Sequence, residues 1–352
     1  MAKIVIMGFV GCGNMGDEAI LAGTLLQLET EGRRDVTVFS WNPEDTLARH
    51  GVQAFPVLPG LSGLRDFYAR LHRGDLFLLG GGSLLQDGER RVVPFWLMRA
   101  FAARLKGCRV VFHAQGVGPL NTGLAKVMVS LLVPLCADLV TLRDPESFAH
   151  IPAFLKPRLV ADTALLLPPV QAEKVPRRVV VSLRRISEME DMEKDLAACL
   201  AHFAKRNELQ LVFVPFQYPE DCEVSDRMAK LTGGTAVSGP LTLDEVRQLL
   251  ASAELVVAMR LHSAILAAGV GTPIVGLTYD PKVGSFFAQL GLSPAQCPWS
   301  QDFRYQTLLD ILHREYHSRE IQEARLAEAV PLLCERAAES VHLALHKWEQ
   351  RR

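Results

Sequence analysis

The sequence of 352 residues lacks a strong excess of either charge and lacks any paired cysteine motif. Lys and Arg number 38 against 39 Asp and Glu, for a formal net charge of −1, so no global field would draw the chain to nucleic acid. We therefore expect no nucleic-acid partner. The seven cysteines are odd in number and include no Cys-x-x-Cys pair, which argues against a zinc site and against a redox dithiol. We expect thiols in a reducing cytoplasm, no metal ion and no cofactor.

Long hydrophobic runs are missing as well. The longest apolar stretch, residues 127–140, is interrupted by Ser130, Pro134 and Asp138, so no segment is expected to span a membrane. The apolar run at residues 3–7 is too short for the hydrophobic region of a signal peptide and is followed by glycines, which predicts a first strand instead. These features favour a cytoplasmic protein.

Short apolar runs alternate with helix-length segments along most of the chain. The strand-like runs form a first series at residues 4–7, 36–39, 76–79, 109–113 and 139–142, and a second at 179–183, 211–215, 255–258 and 274–277. This alternation indicates βαβ units with buried parallel strands. A proline-rich and charged seam at residues 167–178 separates the two series.

These patterns predict an α/β protein with two doubly wound, Rossmann-like domains. We place the first domain at residues 1–168, the second at 169–315 and a helical tail at 316–352 that would pack back on the first domain. Pro331 interrupts the helical pattern of the tail and should kink or divide it.

Glycine-rich loops follow the strands of the first series, at the edge where open parallel sheets bind ligands. Residues 11–16 match the Gly-x-Gly-x-x-Gly dinucleotide fingerprint, but Asp17 and Glu18 would then oppose the pyrophosphate. A turn that presents Asn14, Asp17 and Glu18 suits a polyhydroxylated acceptor better. The alternative is that Asn14 and Asp17 only cap a helix.

A second loop at residues 80–87 begins with three consecutive glycines, which weaken a structure unless the backbone must approach something closely. We assign Ser83, Gln86 and Asp87 of this loop to the acceptor side with the first loop. A third glycine-rich loop is predicted at residues 113–119.

Cationic residues follow four of the predicted strands. They are Arg143, Arg184, Arg260 and Lys282, and His262 lies two residues after Arg260. A lone histidine is more often structural than catalytic, and Arg143 could simply pair with Asp144. The shared position at strand ends nevertheless favours capture of an anionic substrate.

The motifs at these positions, taken together, resemble the polysaccharide pyruvyltransferase family, and most closely its bacterial CsaB type. They are Gly-Asn-Met-Gly-Asp-Glu, Gly-Gly-Gly-Ser-Leu-Leu-Gln-Asp, Gln-Gly-Val-Gly-Pro, Arg-Asp-Pro-Glu-Ser, Arg-Leu-His and Tyr-Asp-Pro-Lys, in the family's order from residue 3 to about residue 290. Two small departures are Ala114, where a glycine is usual, and Thr163, where a proline is usual.

The resemblance implies a fold like the GT-B glycosyltransferases, with the active site in the cleft between the domains. It also implies transfer of pyruvate from phosphoenolpyruvate, as a ketal, to an N-acetylmannosamine of a lipid-linked cell-wall saccharide that helps to anchor S-layer proteins. Carried over by position, Arg260 and His262 would form the catalytic segment. Arg143, Arg184, Lys282 and Arg260 would bind the donor.

The chemistry agrees with this assignment. Phosphoenolpyruvate carries a phosphate and a carboxylate, which the planar fork of arginine fits, and protonation of its methylene carbon requires a general acid. We predict that His262 is this acid, and the reaction requires no metal. Two other functions stay open: a nucleotide-sugar glycosyltransferase of the same fold, and a non-catalytic saccharide-binding protein.

Basic and aromatic residues are interleaved between residues 64 and 106, which predicts peripheral contact with the cytoplasmic face of a membrane. A solvated charged face is the alternative. The residues concerned are Arg65, Arg70, Arg73, Arg90, Arg91, Arg99, Arg104 and Lys106 with Leu64, Phe67, Tyr68, Phe95 and Trp96.

Overall fold

A computed structural model describes residues 2–88, 91–185, 190–278, 281–293 and 304–350, without the side chains of residues 190–192. The chain forms two compact units. Unit 1 comprises Met1–Cys12, Asp17–Leu167 and Leu333–Arg352, and unit 2 comprises Gly13–Gly16 and Pro168–Leu332. The long division between them therefore lies at residues 167 and 168, inside the proline-rich seam, and the short segment Gly13–Gly16 belongs to unit 2.

Unit 1 contains a sheet of eight parallel strands. The strands are β1 (Ile4–Met7), β2 (Val36–Ser40), β3 (Gln53–Pro56), β4 (Leu76–Leu79), β5 (Gly82–Leu85), β6 (Arg109–Val117), β7 (Leu139–Leu142) and β8 (Arg158–Leu159). Their order is β3-β2-β1-β4-β6-β7-β8, and β5 pairs with the second half of β6. The helices between them are α1 (Met15–Thr30), α2 (Pro43–His50), α3 (Gly60–Arg70), α4 (Val92–Lys106) and α5 (Gly123–Cys136).

The core of unit 1 lies on both faces of this sheet because side chains alternate between the two faces of each strand. On one face, Val5 and Met7 of β1 pack with residues of α4 and α5. On the other face, Ile4 and Ile6 pack with α1 and with the end of the chain, where Trp348 is buried and donates to the carbonyl of Gly74 at 2.7 Å.

The prediction of loops at residues 80–87 and 113–119 is wrong in part, because both segments contain strand residues. Residues 82–85 of the loop at 80–87 form β5, and residues 113–117 of the loop at 113–119 continue β6. Leu84 and Leu85 are buried in the core, and the buried Gln115 side chain donates to the carbonyl of Leu79 at 2.9 Å. The two short segments pair with each other, and Gln115 of the second also pairs with Leu142 of β7, so both become strands through neighbours that are distant in sequence.

Unit 2 contains a second parallel sheet, of five strands in the order β11-β10-β9-β12-β13. The strands are β9 (Arg178–Ser182), β10 (Gln210–Phe213), β11 (Thr235–Ala236), β12 (Leu255–Ala258) and β13 (Ile274–Gly276). The helices that follow them are α6 (Glu190–Asn207), α7 (Cys222–Thr232), α8 (Leu243–Ala251), α9 (Leu261–Gly269), α10 (Pro281–Gln289) and α11 (Tyr305–His317). The buried strands β9 and β12 form the centre of this sheet.

The last helix, α12 (Arg319–Glu349), continues through Pro331. The proline therefore does not divide the helix, whereas a kink at Pro331 stays a prediction. Leu326 and Leu333, on either side of the proline, are both buried. Such tertiary packing can retain a helix across one missing backbone hydrogen bond.

The six cysteines in the described part of the chain are thiols, and Cys108, Cys136 and Cys199 among them are buried. Cys297 lies outside the described residues. Among the described helices, none is both long enough and apolar enough to cross a bilayer.

Candidate active site

Each sheet has one point at which the order of its strands reverses, and open parallel sheets bind ligands beyond the strand ends at such points. In unit 1 this point lies between β1 and β4, and in unit 2 between β9 and β12. The loop after β1 and the glycines after β4 therefore flank the first point. Arg184 and the segment from Arg260 to His262 flank the second.

In unit 2, Arg184 and Arg260 leave neighbouring strands at the same level. Ser182 at the end of β9 pairs with Ala258 at the end of β12, and each arginine is the second residue after its strand. The backbone of Arg184 also donates to the sulfur of Met259 at 3.5 Å. Two of the predicted donor-binding cations are thus placed side by side by the register of the sheet.

The guanidinium of Arg260 is oriented by the buried Asp221. Nη2 lies 2.6 Å from Oδ1 and Nε lies 3.0 Å from Oδ2, so the pair is bidentate. Nη1 donates to Oε1 of Gln217 at 3.2 Å. These three bonds use three of the five N–H groups of the guanidinium. An anionic ligand would therefore meet an arginine that is already held in one orientation.

The segment Gly13–Gly16 is attached to this cluster. Asn14 forms an antiparallel bridge with Gln217, and the amide of Met15 donates to the carbonyl of Phe216 at 2.8 Å. The side-chain amide of Asn14 donates to Oε1 of Gln217 at 3.4 Å, the same oxygen that accepts from Arg260. The predicted acceptor residue Asn14 and the predicted catalytic residue Arg260 thus share one hydrogen-bond partner.

His262 is the second residue of α9, half-buried, and its ring lies against the backbone of Gly16. A Cβ built on Gly16 would lie 2.1 Å from Nδ1 and 2.3 Å from Cγ of the imidazole. Only glycine therefore allows this approach. Lys282, half-buried in the first turn of α10, is also in unit 2, whereas Tyr279 and Asp280 of the same motif lie outside the described residues.

In unit 1, Arg143 follows β7 and is buried. Its Nη1 lies 2.5 Å from Oδ2 of the buried Asp162, and its Nη2 donates to Oγ of Ser83 at 3.0 Å. A Cβ on Gly116 would lie 2.9 Å from that hydroxyl and 3.1 Å from Nε of Arg143, so a glycine is needed beside them. Arg143, assigned to the donor, and Ser83, assigned to the acceptor, are thus direct neighbours.

The carboxylates of Asp17 and Glu18 lie in different environments. A Cβ on Gly82 would lie 3.1 Å from Oδ1 of Asp17, and Asp17 lines a small cavity with Gly80 and Gly81 at the reversal point. Glu18 is buried, accepts from the amide of Gly11 at 2.9 Å and lies 2.7 Å from Nε2 of His50. Glu18 therefore anchors the first loop, while Asp17 lies beside the cavity.

Asp87 and Gln86 also differ. The amides of Asn121 and Thr122 donate to the Asp87 carboxylate at 2.8 and 2.5 Å. These bonds, that of Asn121 above all, hold the pKa of the Asp87 carboxyl below its usual value. The Gln86 side chain next to it is exposed. Asp87 thus organises the loop between β6 and α5.

A family model for polysaccharide pyruvyl transferases matches residues 14–281, which include Asn14, Arg143, Arg184, Arg260 and His262. The chain belongs to the polysaccharide pyruvyl transferase family. Lys282 lies one residue beyond the matched range. The family predicted from the sequence motifs is confirmed, whereas the CsaB type stays a prediction. Among curated proteins, none matches this sequence.

Solved structures of sugar enzymes are similar in fold to this family member. A putative UDP-N-acetylglucosamine 2-epimerase from Listeria monocytogenes has a TM-score of 0.66 at 14% identity, over 96% of this chain and 94% of that one. Anabaena HepE, in complex with UDP and glucose, has a TM-score of 0.65 at 15% identity over all of both chains. UDP-GlcNAc 2-epimerase from Neisseria meningitidis scores 0.64 at 14% identity, over 99% and 100% of the two chains. The predicted fold class, two Rossmann-like domains of the GT-B kind, is confirmed.

Three side chains at the two clusters were missed in the sequence. Asp221 and Gln217 lie in the loop after β10, and Asp162 follows β8. Each of them is within about ten residues of the carboxyl end of a parallel strand, the edge at which open parallel sheets bind ligands. That position was the available signal, but the predicted set of residues at strand ends did not include these three.

The predicted membrane-contact residues are only partly at the surface. Phe67, Trp96 and Arg99 are buried, and Arg90 lies outside the described residues. Arg99 donates to the carbonyls of Leu58 at 2.7 Å and Phe95 at 3.1 Å, and burial lowers the pKa of its guanidinium to about 10. Arg99 therefore belongs to the interior of unit 1, and the three buried side chains contribute nothing to a lipid-facing surface.

His113 closes a strand in the sequence pattern, but in the structure it lies in the middle of β6 and is completely buried in unit 1. Its Nδ1 lies 2.8 Å from Oγ of Ser340 and its Nε2 lies 3.4 Å from Oγ1 of Thr24. Burial lowers the pKa of the imidazole to about 4, although the nearby Asp162 carboxylate acts in the opposite direction. His113 is therefore a neutral structural residue near neutral pH.

This burial predicts a loss of stability in mild acid. In the unfolded chain this histidine takes up a proton near pH 6.5, whereas in the folded protein it does so only near pH 4. The contribution of the neutral imidazole to the stability of the folded state is therefore full above the unfolded pKa, and it falls as the pH decreases. Between about pH 7 and pH 5 the free energy of unfolding should fall by roughly 2 kcal/mol through this residue. Denaturant titrations at the two pH values should show this fall in wild type and a smaller one in His113→Gln. The exposed His72→Gln serves as control, and equal losses in wild type and His113→Gln would contradict the prediction.

Proposed function

We propose that this family member transfers pyruvate from phosphoenolpyruvate to a saccharide as a ketal and releases inorganic phosphate. One observation carries the proposal: Arg184, Arg260 and His262 lie together at the reversal point of the unit 2 sheet, within the range that the family model matches. Two cations and a group that can move a proton at one edge are what this donor requires.

The donor carries a phosphate and a carboxylate on one three-carbon unit. Arginine can contact both groups through parallel N–H donors, and it keeps its charge when it is partly buried. In the proposal Arg184, Arg260 and Lys282 contact the donor in unit 2, and Arg143 in unit 1 is the fourth cation. The carboxylate of Asp221 neutralises part of the positive charge of Arg260. In the proposal Arg260 therefore orients the donor as much as it adds net positive charge.

The reaction proceeds by addition and then displacement at C2 of the donor. His262 gives a proton to the methylene carbon, C2 becomes electrophilic, and one sugar hydroxyl adds to C2 with loss of its proton. The C–O bond to phosphate then breaks, and a second hydroxyl of the same sugar bonds to C2 with loss of its proton. The products are a ketal with a new methyl group and inorganic phosphate, and no redox step occurs.

On the acceptor side we propose Asn14, Asp17, Glu18, Ser83, Gln86 and Asp87. Within this set we propose that Asp17 and Ser83 contact the sugar. Asp17 lies beside Gly82 at the reversal point of the sheet, and Ser83 accepts a hydrogen bond from Arg143. Glu18 and Asp87 act by holding their loops. The acceptor is proposed to be an N-acetylmannosamine of a lipid-linked cell-wall saccharide, in the role of the CsaB type in anchoring S-layer proteins.

A second candidate is transfer of a sugar from a nucleotide donor. The observation that favours it is the similarity in fold to a protein solved with UDP and glucose. The cationic residues at the strand ends would suit a diphosphate as well. The two functions differ in the product that leaves the donor, which is inorganic phosphate in one and a free nucleotide in the other.

Turnover with a panel of lipid-linked amino-sugar acceptors separates the two functions. With phosphoenolpyruvate we expect phosphate release that depends on the acceptor, and in deuterium oxide a ketal methyl group that carries one deuterium. Parallel reactions with nucleotide sugars should release no nucleotide. Release of nucleotide, or no acceptor-dependent phosphate across the panel, would show that the proposed reaction is not the one catalysed.

A further inference from the structure

The helix α5 in unit 1 is apolar on both its buried and its exposed side. Its buried side packs in the core through Ala125, Val129, Val133 and Cys136. Its exposed side carries Leu124 at 67%, Val127 at 54%, Leu131 at 60% and Leu135 at 61% exposure. These four residues are three or four positions apart, so they form one stripe along the helix. Exposed apolar side chains that are contiguous mark a surface with a partner.

The neighbouring helix α4 extends this stripe. It packs against α5 and exposes Met98 at 41% and Leu105 at 66%. The docking face is defined here as these two residues with Leu124, Val127, Leu131 and Leu135. All six belong to unit 1, and the helices that carry them lie on the same side of its sheet.

The stretch of sequence that carries the docking face is basic. From Arg91 to Ala137 the sequence contains no Asp or Glu and six basic residues: Arg91, Arg99, Arg104, Lys106, Arg109 and Lys126. The chain as a whole has a net charge of −1, so this stretch is strongly biased. Arg91 and Lys126 are exposed. Asp138, just after α5, lies 3.0 Å from Arg104 and 2.5 Å from Arg109, and it offsets one of these charges.

We propose that the docking face binds the surface of an anionic lipid bilayer. Leucine and methionine side chains enter the boundary between headgroups and acyl chains, while lysine and arginine beside them contact anionic headgroups. The apolar stripe and the basic residues of the same stretch are both needed for this mode. It differs from the contact predicted from the sequence, because Phe67, Trp96 and Arg99 of that cluster are buried and α5 was not part of it.

A second copy of the chain is the alternative occupant, and the charge pattern opposes it. A twofold interface brings the same patch of both copies together, so the exposed cations of this stretch, such as Lys126, would lie near their own counterparts. Like charges across an interface destabilise it. An anionic bilayer offers the complementary sign.

Flotation with lipid vesicles tests the proposal independently of the reaction. Wild type is expected to float with phosphatidylcholine vesicles that contain phosphatidylglycerol at low salt, and much less with phosphatidylcholine alone. The double variant Leu131→Glu/Leu135→Glu should lower the ratio of bound to unbound protein by about tenfold or more. Lys126→Glu, which keeps the stripe, should lower it by about fivefold or more, since each basic residue near the surface adds about 1 kcal/mol.

The matched control is Leu231→Glu/Ile321→Glu, at residues of unit 2 that are 50% and 67% exposed. It should float like wild type, and thermal unfolding should show that all variants are folded. The proposal is overturned if wild type does not float, if the control and the Leu131/Leu135 variant lose binding equally, or if sedimentation shows a wild-type dimer that the Leu131/Leu135 variant dissociates. Turnover of a short, water-soluble acceptor should stay unchanged in the variant, so a failure here is distinct from a failure of the proposed reaction.

Discussion

Replacement of His262 by alanine is expected to lower the turnover number of the proposed reaction by about 10²–10⁴-fold, the usual effect of losing a general acid. The residue lies in the first turn of α9, two residues after Arg260, at the strand ends where the donor is proposed to bind. Donor affinity should change much less, because the imidazole is proposed to move a proton and not to hold a charged group. Steady-state kinetics with phosphoenolpyruvate, together with calorimetric titration of the donor, measure both quantities.

The control for this variant is His72→Ala, whose side chain is 69% exposed. His113 is unsuitable as a control because its removal would leave a cavity in the core of unit 1. Arg260→Ala should behave differently from His262→Ala and weaken both donor binding and turnover. A His262→Ala enzyme with near-normal turnover would exclude this histidine as the acid, whatever the result for Arg260.

The substitution Gly16→Ala is expected to lower turnover by about 10–100-fold and stability by about 1–3 kcal/mol, the range for overpacking. The added methyl carbon would lie 2.1 Å from Nδ1 of His262, so the ring or the Gly13–Gly16 segment must move. The matched control is Gly123→Ala, where a Cβ meets no atom within 4 Å. Turnover and chemical denaturation of the three proteins give the comparison.

The double variant Gly16→Ala/His262→Ala separates steric from chemical effects. Removal of the imidazole eliminates the contacts at 2.1 and 2.3 Å and leaves only the Cβ of residue 262, at 2.8 Å from the added methyl carbon. Stability should therefore return part of the way toward that of His262→Ala alone. Turnover should not recover, because the proposed acid is absent. If the double variant were as unstable as the sum of its two single variants, the clash between these residues would not be the cause.

The central strands could be predicted because their signal is local. Residues 4–7, 76–79 and 255–258 are continuous apolar runs, which is the character of strands buried on both faces of a parallel sheet. The pairing of β5 with β6 could not be predicted in this way. Residues 82–85 and 113–117 are rich in glycine and polar groups, and they become strands because partners distant in sequence are available to pair with them.

The same division applies to the candidate site. By itself the sequence determined the two-domain α/β class, the family and the set of cations and polar groups at strand ends, because the carboxyl ends of parallel strands share one edge. Only the tertiary structure decided what each of these groups contacts. Arg260 is oriented by Asp221, Gly16 is required by the ring of His262, Glu18 is bound to the first loop and His50, and Arg99 is buried. These partners are distant in sequence, and no local pattern specifies which side chains a fold will bring within hydrogen-bond distance.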